Sequence, residues 1–405
     1  MTDSAQGPAD SVLPPFPWNR GCPFAPPELY GELRQKEPVS RVDTVTGVRP
    51  WVVTRYEDAK KVLTDPRASS DRAHPDFPYF LPVPPQFRTT AGFLGMDPPE
   101  HTVHRRLLTG EFTARRVEGL RPLIQQIVDR RIDALLAGPR PVDLVPEFSL
   151  AIPMSVNCAL LGVPGDDHAF FHKRARIMFS RGSAAQERQG AIIELMEYFE
   201  RLVEDKEENP ADDLLSRAIA KYREAGVYDR GEMVIVARLL MNAGHETSAN
   251  MISLGVLALL EHPEQLAEMT ADPALVPGAV EELLRYLSPS DLATSRVALA
   301  DMEVGGVPVA AGEGIIVLGA AANRDPEAFE DPDRFDIHRD AHHHLSFGVG
   351  IHKCIGGPLA QVELEVVFGT LFRRIPDLRL AVPLDEIAFK DGAIMYGAYE
   401  LPVVW

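Results

Sequence analysis

One stretch of the chain concentrates residues able to do chemistry. His344 to Ala360 reads His-Leu-Ser-Phe-Gly-Val-Gly-Ile-His-Lys-Cys-Ile-Gly-Gly-Pro-Leu-Ala. It sets one cysteine, Cys354, among glycines, directly before Leu359 to Arg374, where Leu359, Val362, Val366, Val367 and Leu371 fall at helical spacing. A cysteine near the N-terminus of a long helix meets unpaired N–H groups and the helix dipole, which favour thiolate over thiol. Gly348, Gly350 and Gly356 let backbone approach a flat ligand and leave amides to hydrogen-bond the sulfur. A thiolate held this way suits haem iron as an axial ligand. Three other readings stand beside it. A free cysteine is commonly a buried structural residue, which leaves the glycines unexplained. A zinc site would draw on His342, His343, His344, His352 and Cys354, yet no Cys-x-x-Cys or spaced histidine pair completes four ligands. A cysteine nucleophile would take His352 as its base.

A second cluster lies inside the longest helical run, Asp229 to Glu261. Asp229 followed by Glu232 is a capping-box-like start, and Pro263 stops the run. At ~1.5 Å per residue it would span roughly 50 Å and cross the whole molecule. Its middle is apolar on every side, so Gly244-His245-Glu246-Thr247-Ser248 should be costly to bury and therefore informative. Gly244 and a hydroxyl invite a local opening of the helix. A carboxylate beside an alcohol, Glu246 and Thr247, can hold water and pass protons inward. The competing reading is a threonine bonded back to its own helix. Further groups fall at helical spacing. His101 and Arg105 lie four apart behind Asp97-Pro98-Pro99-Glu100, an acidic helix start, and would clamp a carboxylate. His104, Arg105, Arg106, Arg115, Arg116 and Arg121 form a basic patch. Glu282 and Arg285 form an i,i+3 ion pair.

The elements that must position these groups are mostly helices. Runs at 26–36, 56–63, 122–137, 151–161, 166–181, 186–205, 211–224 and 277–287 read as helical. Val39–Val42 with Trp51–Thr54, and Val304–Val309, read as hairpins, and Ile387 to Val404 alternates in strand fashion. Ser69 to Phe93, rich in proline and aromatics, reads as a lid or binding loop. The 405 residues are 45% hydrophobic and 25% charged, as in a globular enzyme. Three cysteines make no disulfide framework, which fits a reducing compartment. No apolar run reaches the ~18 residues of a spanning helix. The expectation is a cytoplasmic protein with no membrane association. A net charge of −18 argues against nucleic acid. Residues 1–22 read as a loose tail and 23–405 as one catalytic domain.

Phe347-Gly348-x-Gly350-x-His352-x-Cys354-x-Gly356 resembles the haem-binding signature of the cytochrome P-450 family at every fixed position. Bacterial members usually continue Leu-Ala-Arg, where this chain has Leu359-Ala360-Gln361. Ala243-Gly244-x-Glu246-Thr247 resembles the family's acid–alcohol motif, and the likeness runs from about Pro23 to Trp405. Ser70 to Pro75 and Glu261 to Leu266 are similar to actinomycete members that act on bulky apolar molecules. The resemblance implies a mainly α fold with a small β-rich lobe enclosing haem b. It implies Cys354 as the iron ligand, and Phe347, Gly348, Gly356, His352, His101, Arg105 and Arg296 as cofactor contacts. Glu246 and Thr247 would deliver protons to dioxygen. Glu282, Arg285 and Arg334 of Pro332-Asp333-Arg334-Phe335 would form a buried structural network. The pocket would be lined by Phe87, Leu94, Ala243, Ser290, Asp291, Leu292, Ile394 and Met395, with Asp291 facing either substrate or water. The implied activity is hydroxylation or epoxidation of a macrolide, polyketide, terpenoid or steroid. Electrons would come from NAD(P)H through a reductase and a ferredoxin docked on the basic patch. A peroxide-driven peroxygenase and a non-catalytic haem sensor or electron carrier are the rival readings.

Overall fold

The computed structural model describes residues 14–80, 92–179, 184–292, 294–391 and 393–405. Helices dominate these residues, with a five-stranded, a three-stranded and a two-stranded sheet beside them. This is the mainly α architecture with a small β-rich lobe that the sequence implies. Among the described residues no helix is long and apolar enough to cross a membrane.

The long helix, Arg230–Leu260, runs through the main core. Asp229 caps it as expected, its Oδ1 accepting the Glu232 N–H at 2.8 Å. Every residue from Ser248 to Leu259 is buried, because this half is apolar all round. It packs on helices Ala151–Leu161, Ala185–Glu208, Val276–Leu287 and Gly357–Arg374. The last of these, the cysteine helix, crosses it at Gly255. A Cβ there would sit 2.4 Å from the Phe368 ring, so only glycine admits this crossing. The crossing fixes the cysteine loop relative to the middle of the long helix.

The five-stranded sheet runs in the order Val39–Arg41, Trp51–Val53, Gly314–Val317, Ser295–Ala298, Ala68–Ser69. Trp51–Val53 and Gly314–Val317 pair in parallel, and the other pairs are antiparallel. Both expected hairpins form, around Gly47 and around Gly305-Gly306, whose positive φ values glycine supplies without strain. The sheet carries Arg296, which pairs in register with Ile315.

Several expectations are corrected by packing. The tail is not loose through residue 22, since Phe16 and Trp18 are buried against Tyr30 and Phe80. The aromatic stretch after Ser69 is not wholly lid: Phe77 and Phe80 are buried, and Pro78 lies under Gly314 of the sheet. Leu81 and Phe87 lie outside the described residues. Asp97 does not cap helix Glu100–Thr109, because its carboxylate binds Ser69 Oγ and the Ser70 N–H instead. Among its described residues the C-terminal segment makes only the strand Pro402–Val404 and a single bridge, Phe389 to Ala398.

Glu363 on the cysteine helix is 2% exposed, and its Oε1 has no hydrogen-bond partner among the described residues. Burial pushes its carboxyl up to about 8. The neutral form is favoured in the fold, so this group's contribution is full below the ordinary value of 4.5 and is lost as pH rises towards about 8. Urea unfolding of the wild type should therefore lose up to ~1.4 kcal/mol per pH unit across that window. Glu363→Gln should lack this component; equal slopes in both proteins would contradict it.

Candidate functional site

The cysteine loop is a tight turn folded onto its own helix. The Cys354 N–H donates to Phe347 O at 2.8 Å, and the Gly348 N–H to Leu345 O at 2.8 Å. Gly348 and Gly350 take positive φ values of 65° and 78°. At Gly350 a Cβ would also strike Leu63 O at 2.6 Å, so this position requires glycine twice over. Cys354 keeps free surface yet sits deep enough that desolvation raises its thiol pKa. The Gly356 and Gly357 N–H groups, with Arg105 and Lys353, act in the opposite direction. Burial and the helix terminus thus act on this thiol in opposite directions.

Beside the sulfur lie two imidazoles and the guanidinium groups of Arg105 and Arg296. The rings of His101 and His352 stand 4.1 Å apart, centroid to centroid. Neither nitrogen of His101, nor Nε2 of His352, has a hydrogen-bond partner among the described residues. Desolvation, then Arg296, His101 and Arg105, push His352 down to about 3. Arg296 is buried and brought down to about 10 by desolvation. Asp97 is the acid in this field, but its oxygens serve Ser69 and Ser70. Orphaned donors and converging guanidinium groups fit a ligand bearing carboxylates, as the propionates of haem do. Arg72 joins this group through its effect on Arg296, and its guanidinium is itself desolvated. Sequence reading passed over Arg72; only the fold brings it to Arg296.

The zinc alternative finds no support in the geometry. His342 pairs with Asp340, His343 stacks on Phe329 with Nε2 on Ala328 O, and His344 Nε2 lies 3.0 Å from Glu281. Among the described residues no group of three or more His, Cys, Asp or Glu could hold a metal. Gln361 donates to the same Glu281, so the departure from Leu-Ala-Arg is absorbed by a hydrogen bond.

The long helix stays helical through 243–247, so the anticipated opening is absent. The Met241 carbonyl accepts from Asn157 Nδ2 at 3.2 Å, and a Cβ at Gly244 would meet that same side chain at 3.1 Å. Asn242 and Ala243 are exposed and Gly244, Glu246 and Thr247 half-buried, while His245 is buried with Nε2 on Leu150 O at 3.1 Å. Thr247 Oγ1 donates to Ala243 O at 2.7 Å, the back-bonded state. Glu246 accepts from Lys390 Nζ at 3.2 Å, a partner that sequence spacing could not reveal.

The proposed pocket residues separate into two sets. Leu94, Ala243 and Ile394 present free surface, and Ser290 and Met395 are half-buried. Leu292 is packed with Phe16 and Tyr30. Asp291 is structural: buried, it accepts the Tyr30 hydroxyl and the Ala320 N–H, each at 2.7 Å. Phe87 falls outside the described residues. A separate groove of about 480 Å³, lined by Arg20, Asp385, Phe389 and Tyr396 among others, includes neither Cys354 nor any residue of the long helix.

The network under the loop forms with one substitution of roles. Arg285 and Glu282 are fully buried and paired at 2.7 Å. Arg285 also donates to the carbonyls of Asn323 and Pro332. Arg334 does not complete the set, since its side chain is 66% exposed beside Asp336. Arg339 does so, placing Nε 3.2 Å from Glu282. The basic patch is likewise reduced. His104 bonds Tyr222, Arg116 pairs with Glu111, and Arg121 pairs with Glu118 and Glu365. Arg106, Arg115 and Lys353 keep exposed positions.

Residues 30–273 and 272–376 match the family model described as Cytochrome P-450. Vitamin D3 dihydroxylase of Streptomyces griseolus is 45% identical over 407 residues, covering 100% of both chains. The crystal structure of cytochrome P-450 MoxA from Nonomuraea recticatena matches with TM-score 0.93 at 50% identity, over 96% of this chain and 98% of that one. Mycinamicin VIII C21 methyl hydroxylase MycCI from Micromonospora griseorubida, bound to mycinamicin VIII, matches with TM-score 0.89 at 41% identity, over 97% and 100%. Fold and relatives together define a haem-iron oxidoreductase. The chain belongs to the cytochrome P-450 family and is a monooxygenase.

The two arginines near Glu282 make opposite predictions. Arg339→Met should destabilise the protein by roughly 2 kcal/mol, because it removes one charged hydrogen-bond partner from a buried carboxylate that keeps only Arg285 and the Asp336 N–H. Arg334→Met should stay within about 0.5 kcal/mol, as for an exposed pair. Urea midpoints of the two variants test this, and equal losses would return Arg334 to the network.

Proposed function

We propose that this chain binds haem b through the Cys354 sulfur and hydroxylates or epoxidises a bulky apolar small molecule. The observation that carries the reading is the cysteine loop set beside the unsatisfied imidazoles of His101 and His352 and the guanidinium groups of Arg105 and Arg296. One cofactor answers both halves: a metal that takes a sulfur ligand and carboxylates that satisfy the cations. Gly356 and Gly357 donate to the sulfur and temper its charge. His101 with Arg105, and Arg296, hold the two carboxylates. Bound haem supplies the binding and activation of dioxygen. Glu246 and Thr247 hold the protons that this chemistry consumes and release them towards the recess. Apolar Leu94, Ala243 and Ile394 orient the substrate and exclude water. The names of the relatives, which include vitamin D3 and mycinamicin VIII, support a large, mostly apolar substrate. A ferredoxin served by an NAD(P)H-dependent reductase is the proposed electron donor, and Arg106, Arg115 and Lys353 offer it positive charge.

The absorption spectrum of the reduced protein with carbon monoxide tests the ligand. A strongly red-shifted Soret band is expected, and Cys354→Ala should lose it. A short-wavelength band in undamaged wild type would overturn the assignment. Thr247→Ala should retain the band and divert at least ~10-fold more of the consumed electrons into hydrogen peroxide, as for loss of a proton-transfer group. Unchanged peroxide yield in that variant would remove Thr247 from proton delivery.

A further inference from the structure

The acid and the alcohol of the long helix are tied to different partners. Thr247 Oγ1 is bonded to Ala243 O at 2.7 Å, and Glu246 Oε1 to Lys390 Nζ at 3.2 Å. Lys390 is 5% exposed and also donates to Asn250 Oδ1 at 2.9 Å. Asn250 lies one helical turn beyond Glu246, so a single ammonium bridges two side chains on one face of the long helix. A buried ammonium is costly unless it is paired and hydrogen-bonded, so Glu246 and Lys390 hold each other in place.

The segment that carries Lys390 is closed and docked. The Lys390 N–H donates to Gly397 O at 2.8 Å, and the Tyr396 N–H to Pro289 O at 2.9 Å. Gly397 lies against Asn250 so closely that a Cβ would meet its Oδ1 at 2.2 Å. Any bulkier residue would push the turn, and Lys390 with it, off the helix. Asp391, Ala393 and Ile394 line a small cavity with Pro289, Asp291 and Leu292. His245, buried on the same helix, also feels the Lys390 charge.

We propose that Lys390 is a positioning residue for proton delivery: it sets where the Glu246 carboxylate sits and links that position to residues 393–397 through Gly397. The proposal rests on the reading of Glu246 and Thr247 as the proton path. The Lys390 N–H bond to Gly397 O joins the two sides, so a displacement of residues 393–397 is passed to Lys390 and on to Glu246. With Lys390 removed, the carboxylate loses its fixed place and protons arrive without order.

Holoenzymes of the wild type, Lys390→Met, Lys390→Arg, Glu246→Gln and the Lys390→Met/Glu246→Gln double variant test this with two readouts. Retention of the carbon monoxide spectrum certifies each fold. The first readout is amide hydrogen exchange at 390–397. Lys390→Met and Glu246→Gln should each speed it about 10-fold, the double variant should add less than about twofold, and Lys390→Arg should restore most of the protection. The second is peroxide released per NADPH with a surrogate ferredoxin and reductase, in the reaction NADPH + H⁺ + O₂ → NADP⁺ + H₂O₂. Lys390→Met should raise it about threefold or more in the wild-type background and by less than about 1.5-fold in the Glu246→Gln background. Multiplicative effects in both readouts would overturn the proposal, because Lys390 would then act independently of Glu246. Non-additive exchange with peroxide unchanged in Glu246→Gln would instead overturn the proton-path reading while leaving the link between Lys390 and the turn in place.

Discussion

The guanidinium of Arg285 has no exposure to solvent, and the site is built outward from it. A charge taken out of water must be met on every side. Glu282 meets it with both carboxylate oxygens, and Asn323 O and Pro332 O take further N–H groups. Asn323 in turn receives the Leu345 N–H at 2.7 Å and donates to Ser346 Oγ at 2.9 Å. Ser346 Oγ donates to Leu284 O at 2.7 Å, back on the helix that holds Arg285. A closed circuit of hydrogen bonds thus runs from one buried ion pair to the first residues of the cysteine loop. Satisfied networks of this kind are rigid, and their members are hard to remove singly. The position of Cys354 is a consequence of that rigidity.

Electrostatics divides the molecule in a way its total charge conceals. The chain carries a net charge of −18. Yet around His352 the groups that dominate are Arg296, His101 and Arg105, and Arg72 acts on Arg296. The neighbouring acid, Asp97, is diverted to Ser69 and Ser70, which leaves the cations free for a bound anion. Positive charge elsewhere is spent internally: Glu111 alone receives Arg116, Arg217 and Lys221. A count of basic residues along 104–121 therefore overstates the charge that a partner protein would meet.

Much of the helical framework was legible because its causes are local. The run of apolar residues through 248–259 needs burial on all sides, and Asp229 supplies its cap within one turn. The hairpins were legible because Gly47 and Gly305-Gly306 permit turns that few other residues do. Misreadings arose where a local pattern competed with a distant partner. Asp97 looks like a cap but serves a strand nearly thirty residues earlier in the chain. Asp291 looks like a pocket acid but is consumed by Tyr30 and Ala320. Phe80 looks like a lid residue but joins the core of the β-rich lobe, and Phe77 is buried beside it in the chain.

The sequence by itself determined the cysteine loop, the acid–alcohol pair and the Glu-x-x-Arg pair, since each lies within a few residues and follows from glycine conformation or helical spacing. It also determined that the fold would be mainly helical. Only the tertiary structure decided which cation reaches which acid. Arg339 rather than Arg334 completes the pair at Glu282, Arg72 joins Arg296, and Lys390 arrives at Glu246 from 144 residues away. The physical reason is that a charged side chain shows no periodicity in its choice of partner. That choice is made by burial, which leaves each desolvated charge only the neighbours that packing delivers.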